Sequence, residues 1–460
     1  MRPLILLTTA IVASSNAQVR LPQYSRQVLG NGAVLDMMPR KDVPLVTIKV
    51  VFKGGAEAEP AELSGIADVT AEALRRGTAK RTADQFSQQL DSLGASFDTS
   101  ADMQSMNLYA EFLSKDLGAG LDLLMDAVLN PAFVDAEMKK VVAQYVDSAR
   151  ALKDYPDRVA SEYYRAFYYG PNHPYGRPAD ELTYARIGQK EIAEFHKRMF
   201  VGRNMIVAVA GDLDPAIAGK TLSEAFARVP PGTAYQWKQP PAAQAKGMRI
   251  GVVDKPDATQ TSFLIGQPGI DRRHPDRVPL WVVNTIFGGR FTSILNDELR
   301  VNSGLTYGAS SRFDQTHLPG RITIASFTKT ETTGKAIDLA LVLLRRLQEK
   351  GISEEQFASA KQYLKGTYPT SRLETPDQLV NILTEIELND LNRGDVDDLF
   401  SSIDAVTMER ANQIIKTYYG SDNLTFLLLG NAAKFKDELK KYGKDVVQVP
   451  ITRPGLRVAP

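Results

Sequence analysis

A chain of 460 residues exceeds what one hydrophobic core of roughly 250–300 residues supports, so at least two domains are expected. Fifty-five basic against 54 acidic residues, with no basic block, argue against nucleic-acid or membrane-surface partners, and 43% apolar with 24% charged residues is the balance of a soluble globular protein. The lack of cysteine excludes disulfides, thiolate metal sites and cysteine nucleophiles.

Residues 1–17 carry one Arg, an apolar run from Leu4 to Val12 and the small-x-small triplet Ser15-Asn16-Ala17. This pattern predicts a secretory signal peptide, too short to span a membrane, and no other segment reaches the roughly 20 apolar residues of a span. An exported chain of this size without disulfides points to a bacterial periplasm.

Residues 18–231 form the first expected domain. Alternation and apolar runs predict strands near 45–53, 93–100 and 105–112, and periods near 3.6 predict helices near 65–77, 82–92, 116–128 and 135–152. A Pro-rich polar stretch at 232–247 has no apolar period and is the expected linker. In the second domain, 248–460, strands are expected near 261–266, 305–313 and 320–328, with helices near 275–287, 292–303, 333–349 and 353–368. Two segments share a pattern: an aromatic residue, Asn, six apolar or Thr residues and Gly recur from Phe200 to Gly211 and from Tyr419 to Gly430, placing Asn204 and Asn423 219 positions apart. The repeat predicts an α+β fold of two similar α/β-roll halves, each an antiparallel-rich sheet packed by helices.

Three stretches carry candidate chemistry. In GIADVTAEAL (65–74), Ile66, Val69, Thr70, Ala73 and Leu74 form an apolar stripe, with Ser64 as the expected N-cap and Gly77 as the stop. Asp68 and Glu72, four apart on the other side, could be a carboxylate site for a hard cation or a solvated face balanced by Arg75 and Arg76. In Asn296 to Tyr307, Gly304 should end a helix, leaving Arg300 in its last turn and Tyr307 early in the following strand. A guanidinium and a phenol flanking one corner can both serve an oxyanion; the alternative is an Arg compensating a helix end beside a core Tyr. The four histidines, 173, 196, 274 and 317, lack metal-ligand spacing: His173 is expected to make a structural hydrogen bond in a turn, and His196 to lie on the surface. Phe287-Gly-Gly-Arg290 lacks the strand-turn-helix context of a phosphate loop and is expected to be a flexible connection between two helices.

With Leu90-Asp-Ser-Leu-Gly94, Leu129-Asn-Pro131-Ala-Phe133 and His173-Pro-Tyr-Gly176, these stretches resemble, in order, the pitrilysin/insulinase-type zinc peptidases, over about Ser25 to Lys441. The resemblance implies that 65–74 corresponds to the H-x-x-E-H helix, in which two His bind zinc and Glu activates water. Here those positions hold Asp68, Ala71 and Glu72, and the third ligand position falls near Asp147 or Ser148. The family's Arg and Tyr, seven apart, correspond to Arg300 and Tyr307. The chain thus resembles the zinc-free subunit of the heterodimeric bacterial branch: no cofactor of its own, zinc in a homologous H-x-x-E-H-bearing partner, and peptides as substrates. The alternative is a non-catalytic scaffold or peptide-binding protein of the same fold.

Overall fold

The computed structural model describes residues 19–238, 240 and 247–459. The expected signal peptide, 1–17, lies outside the described residues, as do 239 and 241–246 of the expected linker.

The first half supplies strands Ser25–Val28 (β1), Val34–Pro39 (β2), Leu45–Lys53 (β3), Ser96–Ala101 (β4), Ser105–Leu113 (β5) and Met205–Gly211 (β6). The second supplies Arg249–Asp254 (β7), Gln260–Pro268 (β8), Ala309–Phe313 (β9), Arg321–Lys329 (β10), Thr425–Gly430 (β11) and Val446–Pro450 (β12). They form two six-stranded sheets, β1-β2-β6-β3-β5-β4 and β12-β7-β11-β8-β10-β9. In both, a parallel pair (β2 with β6, β7 with β11) is followed by antiparallel ones. Only the outer edge differs, since β1 runs antiparallel to β2 and β12 parallel to β7. The α+β fold of two similar halves read from the repeat is therefore the observed one.

Eight of the helices occupy matching places in the two halves. The first half has Ile66–Ala73 (α1), Leu117–Leu129 (α2), Asp135–Ala151 (α3) and Pro156–Tyr169 (α4). The second has Arg277–Asn284 (α5), Thr333–Lys350 (α6), Glu354–Arg372 (α7) and Pro376–Leu388 (α8). The last helix of each set crosses to the other half. From α4, Val159, Tyr164 and Phe167 pack on Leu264 of β8 and on Leu427 and Leu429 of β11. From α8, Leu379, Val380 and Leu383 pack on Ala208 and Ala210 of β6.

This exchange explains why the repeated strands are apolar at every position. Along β6, Met205, Val207 and Val209 face the core of their own half, while Ala208 and Ala210 face α8. Along β11, Phe426 and Leu428 face their own core and Leu427 and Leu429 face α4. A strand covered on both faces carries no polar alternation. The fit under α4 is close: a Cβ at Gly266 would lie 1.8 Å from the Tyr164 hydroxyl oxygen, so only glycine is accommodated there.

Several expectations need correction. Neither α4 nor α8 was anticipated, nor were β1, β2, β7 and β12. The helix expected at 275–287 stops at Asn284 and widens into a π turn over Thr285–Gly289; the one at 292–303 is a single α turn, Ile294–Asn296, followed by a π turn over Asp297–Asn302. Phe287-Gly-Gly-Arg290 is accordingly a packed element and not a flexible connection. Phe287 is fully buried, and a Cβ on Gly288 would lie 2.3 Å from the Ser311 backbone nitrogen, so the turn presses directly on β9.

Candidate functional site

The first half places α1 against a cavity of about 450 Å³ lined in part by Asp68, Tyr145, Ser148, Glu162, Arg165 and Tyr184. The helix begins at Gly65, whose φ of +97° fits the left-handed region. Ser64 does not cap it. Glu59 does: its buried carboxylate accepts the backbone N–H groups of Gly65 and Ala67, both at 2.9 Å. Burial pushes the Glu59 carboxyl up to about 8 despite those two donors. Gly77, with φ +106°, ends the segment as expected.

The three positions that the resemblance assigns to the zinc motif are occupied by groups with other attachments. Asp68 accepts from the Tyr184 hydroxyl at 3.4 Å, and its main-chain carbonyl accepts from the Tyr145 hydroxyl at 3.3 Å. Burial raises the Asp68 carboxyl to about 6, the Tyr184 hydrogen bond opposing it. Ala71 is fully buried and offers no donor. Glu72 is ion-paired with Arg76 one turn on. Ser148 lines the cavity, whereas Asp147 is exposed and pairs with Arg150 at 3.3 Å. Zinc does not fit this set, and a hard cation fits no better: among the described residues no three His, Cys, Asp or Glu side chains converge as a metal site requires.

The histidines divide. His173 is buried, and its Nδ1 accepts the Tyr175 backbone N–H at 3.0 Å, the structural role expected. His196 corrects the expectation of a surface residue. It stacks on Phe200 with ring centroids 4.5 Å apart and sits 3.0 Å from the Val128 carbonyl oxygen, and burial pushes it down to about 4.

In the second half, Arg300 and Tyr307 line one open cavity of about 650 Å³, whose walls include Phe263 of β8, Gly288 of the π turn, Ala309 of β9 and Asp157 of α4. Gly304, with φ +64°, turns the chain between them. The corner is fixed by the Leu305 and Thr306 N–H groups, which both donate to the Leu299 carbonyl at 3.0 and 3.2 Å. Ser326 of β10 donates to the Gly308 carbonyl at 2.9 Å, tying the corner to the sheet. Arg300 lies over the Phe291 ring, 4.7 Å from its centroid, an attachment that holds the guanidinium without consuming its N–H donors. Tyr307 is 78% exposed and so is no core tyrosine. Both present donors to the same open space, where they could bind a carbonyl or carboxylate oxygen from another molecule.

Sequence reasoning missed Phe291, whose contact with Arg300 spans a turn of irregular helix, and the tyrosines around Asp68. Tyr145 had a local signal: it precedes Ser148 by three positions on α3, the spacing of one helix face.

Two halves built on matching sheets, with no cluster of metal-ligating side chains among the described residues, define the insulinase-type fold. The model for insulinase, peptidase family M16, matches residues 38–174, and the model for the peptidase M16 inactive domain matches 186–364. The chain belongs to the insulinase (M16) peptidase family. It is 22% identical over 400 residues to the uncharacterised zinc protease YmxG of Bacillus subtilis, covering 86% of this chain and 96% of that one. It is 23% identical over 403 residues to the non-peptidase homolog YmxG of Helicobacter pylori, covering 86% and 91%. Among solved structures, a peptidase M16 inactive domain from Pseudomonas fluorescens shares the fold with TM-score 0.82 at 24% identity, covering 89% of this chain and 98% of that one. A protease from Helicobacter pylori superposes with TM-score 0.81 at 18% identity, covering 89% and 100%. Among the described residues no helix is long and apolar enough to cross a membrane.

Proposed function

We propose that this chain is the zinc-free subunit of a heterodimeric insulinase-type metallopeptidase, exported to the periplasm, in which Arg300 and Tyr307 hold the peptide carbonyl at a partner subunit's zinc site. The observation that carries this reading is the state of the pair: among the described residues neither side chain has a hydrogen-bond or ion-pair partner, and both line an open cavity. A half-buried guanidinium and an exposed phenol held at one hydrogen-bonded corner are ready to donate to an oxyanion as charge develops on the carbonyl oxygen. Activation of water would belong to the partner, whose H-x-x-E-H supplies the zinc.

The test assays this protein alone, an H-x-x-E-H-bearing homologue alone, and their mixture on a peptide library. Hydrolysis confined to the mixture, and lost with Arg300→Ala and with Tyr307→Phe, is the expected result; a mixture unaffected by both substitutions overturns the role. A second reading, a non-catalytic scaffold or peptide-binding protein, draws on the name of the Helicobacter pylori relative as a non-peptidase homolog. It predicts stable assembly without hydrolysis in any mixture.

A further inference from the structure

A second cavity in the C-terminal half, of about 310 Å³, shares no lining residue with the Arg300/Tyr307 cavity. Its charged wall is formed by Arg272 before α5, Arg277 in the first turn of α5, Arg372 at the end of α7, Glu385 on α8 and Asp395. Three guanidinium groups therefore face two carboxylates. Glu385 is used twice: one oxygen accepts from Arg272 Nε at 2.9 Å and Nη2 at 2.7 Å, and the other is paired with Arg372. Arg277 has only Asp395, at 3.5 Å. Arg272 is 8% exposed, and its Nη1 is buried with no hydrogen-bond partner among the described residues.

One positive charge is thus left over in a cavity whose inner guanidinium groups, Arg272 and Arg277, are largely buried, while Arg372 reaches solvent. Arginine cannot escape by losing its proton at neutral pH. Burial and the neighbouring Arg272 push Arg277 down to about 10, which still leaves it charged. Three guanidinium groups sharing two carboxylates, with one N–H group of Arg272 left without an acceptor, are incompletely compensated, so the site favours an anion that can enter. The lining also has an apolar part: Trp281 and Tyr368 meet edge-on with centroids 6.2 Å apart, and Ile382, Ile386 and Val396 join them. Thr367 and Ser371, both exposed on α7, form the rim through which a ligand enters.

We propose that this cavity binds a small monoanion in which a carboxylate is attached to an apolar or aromatic body, the carboxylate meeting Arg277 and Arg272 and the body lying against Trp281 and Ile386. Such a group is offered by a free small acid or by the C-terminus of a peptide ending in a large apolar residue. The volume is at the lower end of ordinary small-ligand sites, which limits the body to about one ring or a short branched chain. The inference does not depend on the proposed catalytic role of Arg300 and Tyr307.

The test is calorimetric titration of the full chain with 3-phenylpropionate, its neutral amide, sulfate, and the peptide Gly-Gly-Phe with a free or amidated C-terminus. The carboxylate is expected to bind with a Kd of about 0.1–1 mM and the amide at least about tenfold more weakly. Arg277→Gln, which removes the charge, and Ser371→Phe, which blocks the rim from an exposed helical position and leaves folding intact, should each weaken binding about tenfold or more. Binding of Gly-Gly-Phe acid at least as tight as that of 3-phenylpropionate identifies a peptide C-terminus as the source; binding of the small acid alone identifies a free acid. The proposal is overturned if neither carboxylate binds, if acid and amide bind equally, if sulfate alone binds, or if Ser371→Phe keeps the parental affinity.

Discussion

Helix α1 with its cavity and the Arg300–Tyr307 corner occupy halves built on the same strand order, yet they treat their polar groups in opposite ways. Around α1 the carboxylates are engaged within the chain: Glu59 by two backbone N–H groups, Asp68 by Tyr184, Glu72 by Arg76. At the corner, Arg300 is steadied only by the face of Phe291, and Tyr307 is exposed. Groups satisfied internally have no further demand to make of another molecule, whereas donors fixed in place without partners do. The same shared fold can thus hold a closed region and an open one, because the cores under the two sheets specify the frame and leave the surface residues free to differ.

The largest expected effect comes from damaging the frame common to both regions. Leu383 of α8 is fully buried against the first sheet, so Leu383→Ala should cost about 3–5 kcal/mol in urea unfolding. A cost below about 1 kcal/mol would mean that the crossing helix is not structurally required. Next comes the open corner: in the mixture with a zinc-bearing partner, Arg300→Ala is expected to lower kcat/KM about 10²–10³-fold with an unchanged Tm, as removal of an oxyanion donor does. A matching loss from Asp68→Asn would erase the contrast between the two regions.

A third test uses a point at which the halves differ. Asp36 on β2 pairs with Ala208, and the corresponding position on β7 is Gly251, paired with Leu427. Asp36 is 1% exposed, neither carboxylate oxygen has a hydrogen-bond partner among the described residues, and burial raises it to about 7. Because its folded pKa lies above the unfolded value of about 4, its contribution is most favourable below pH 4 and is lost as pH rises through 7. Asp36→Asn should therefore gain stability relative to the parent between pH 5 and pH 8, reaching about 1–3 kcal/mol. A gain independent of pH would exclude this origin. The smallest effect is expected at Glu72: breaking its partly exposed pair with Arg76 by Glu72→Gln should cost only about 0.2–0.5 kcal/mol.

The features legible in the sequence were those with local causes. The strand runs ending at Gly211 and Gly430 stood out because both faces of β6 and β11 are covered. Gly77 and Gly304 marked helix ends because each adopts positive φ. What was missed depends on distant partners. The aromatic face of α4 is explained only by the sheet of the other half, and Glu59 caps α1 from outside the helix where Ser64 was the adjacent candidate. His196 looked exposed because its charged neighbours dominate the local sequence, while Phe200 and Val128 bury it. At the candidate site, sequence located Arg300 and Tyr307 in one corner but gave no sign that Phe291 would support the guanidinium.

The crossing of α4 and α8 also sets the order in which the molecule can be completed. A ribosome releases the first half before residues 376–388 exist, so the Ala208 and Ala210 face of its sheet and the apolar face of α4 are both uncovered during synthesis. Neither nascent half has its full complement of helices, and the last docking step joins segments separated by hundreds of residues, a slow closure by the standards of local folding. Interlocking thus leaves apolar surface open until both halves are made, and ties each half to the other through a helix as well as through the chain between them.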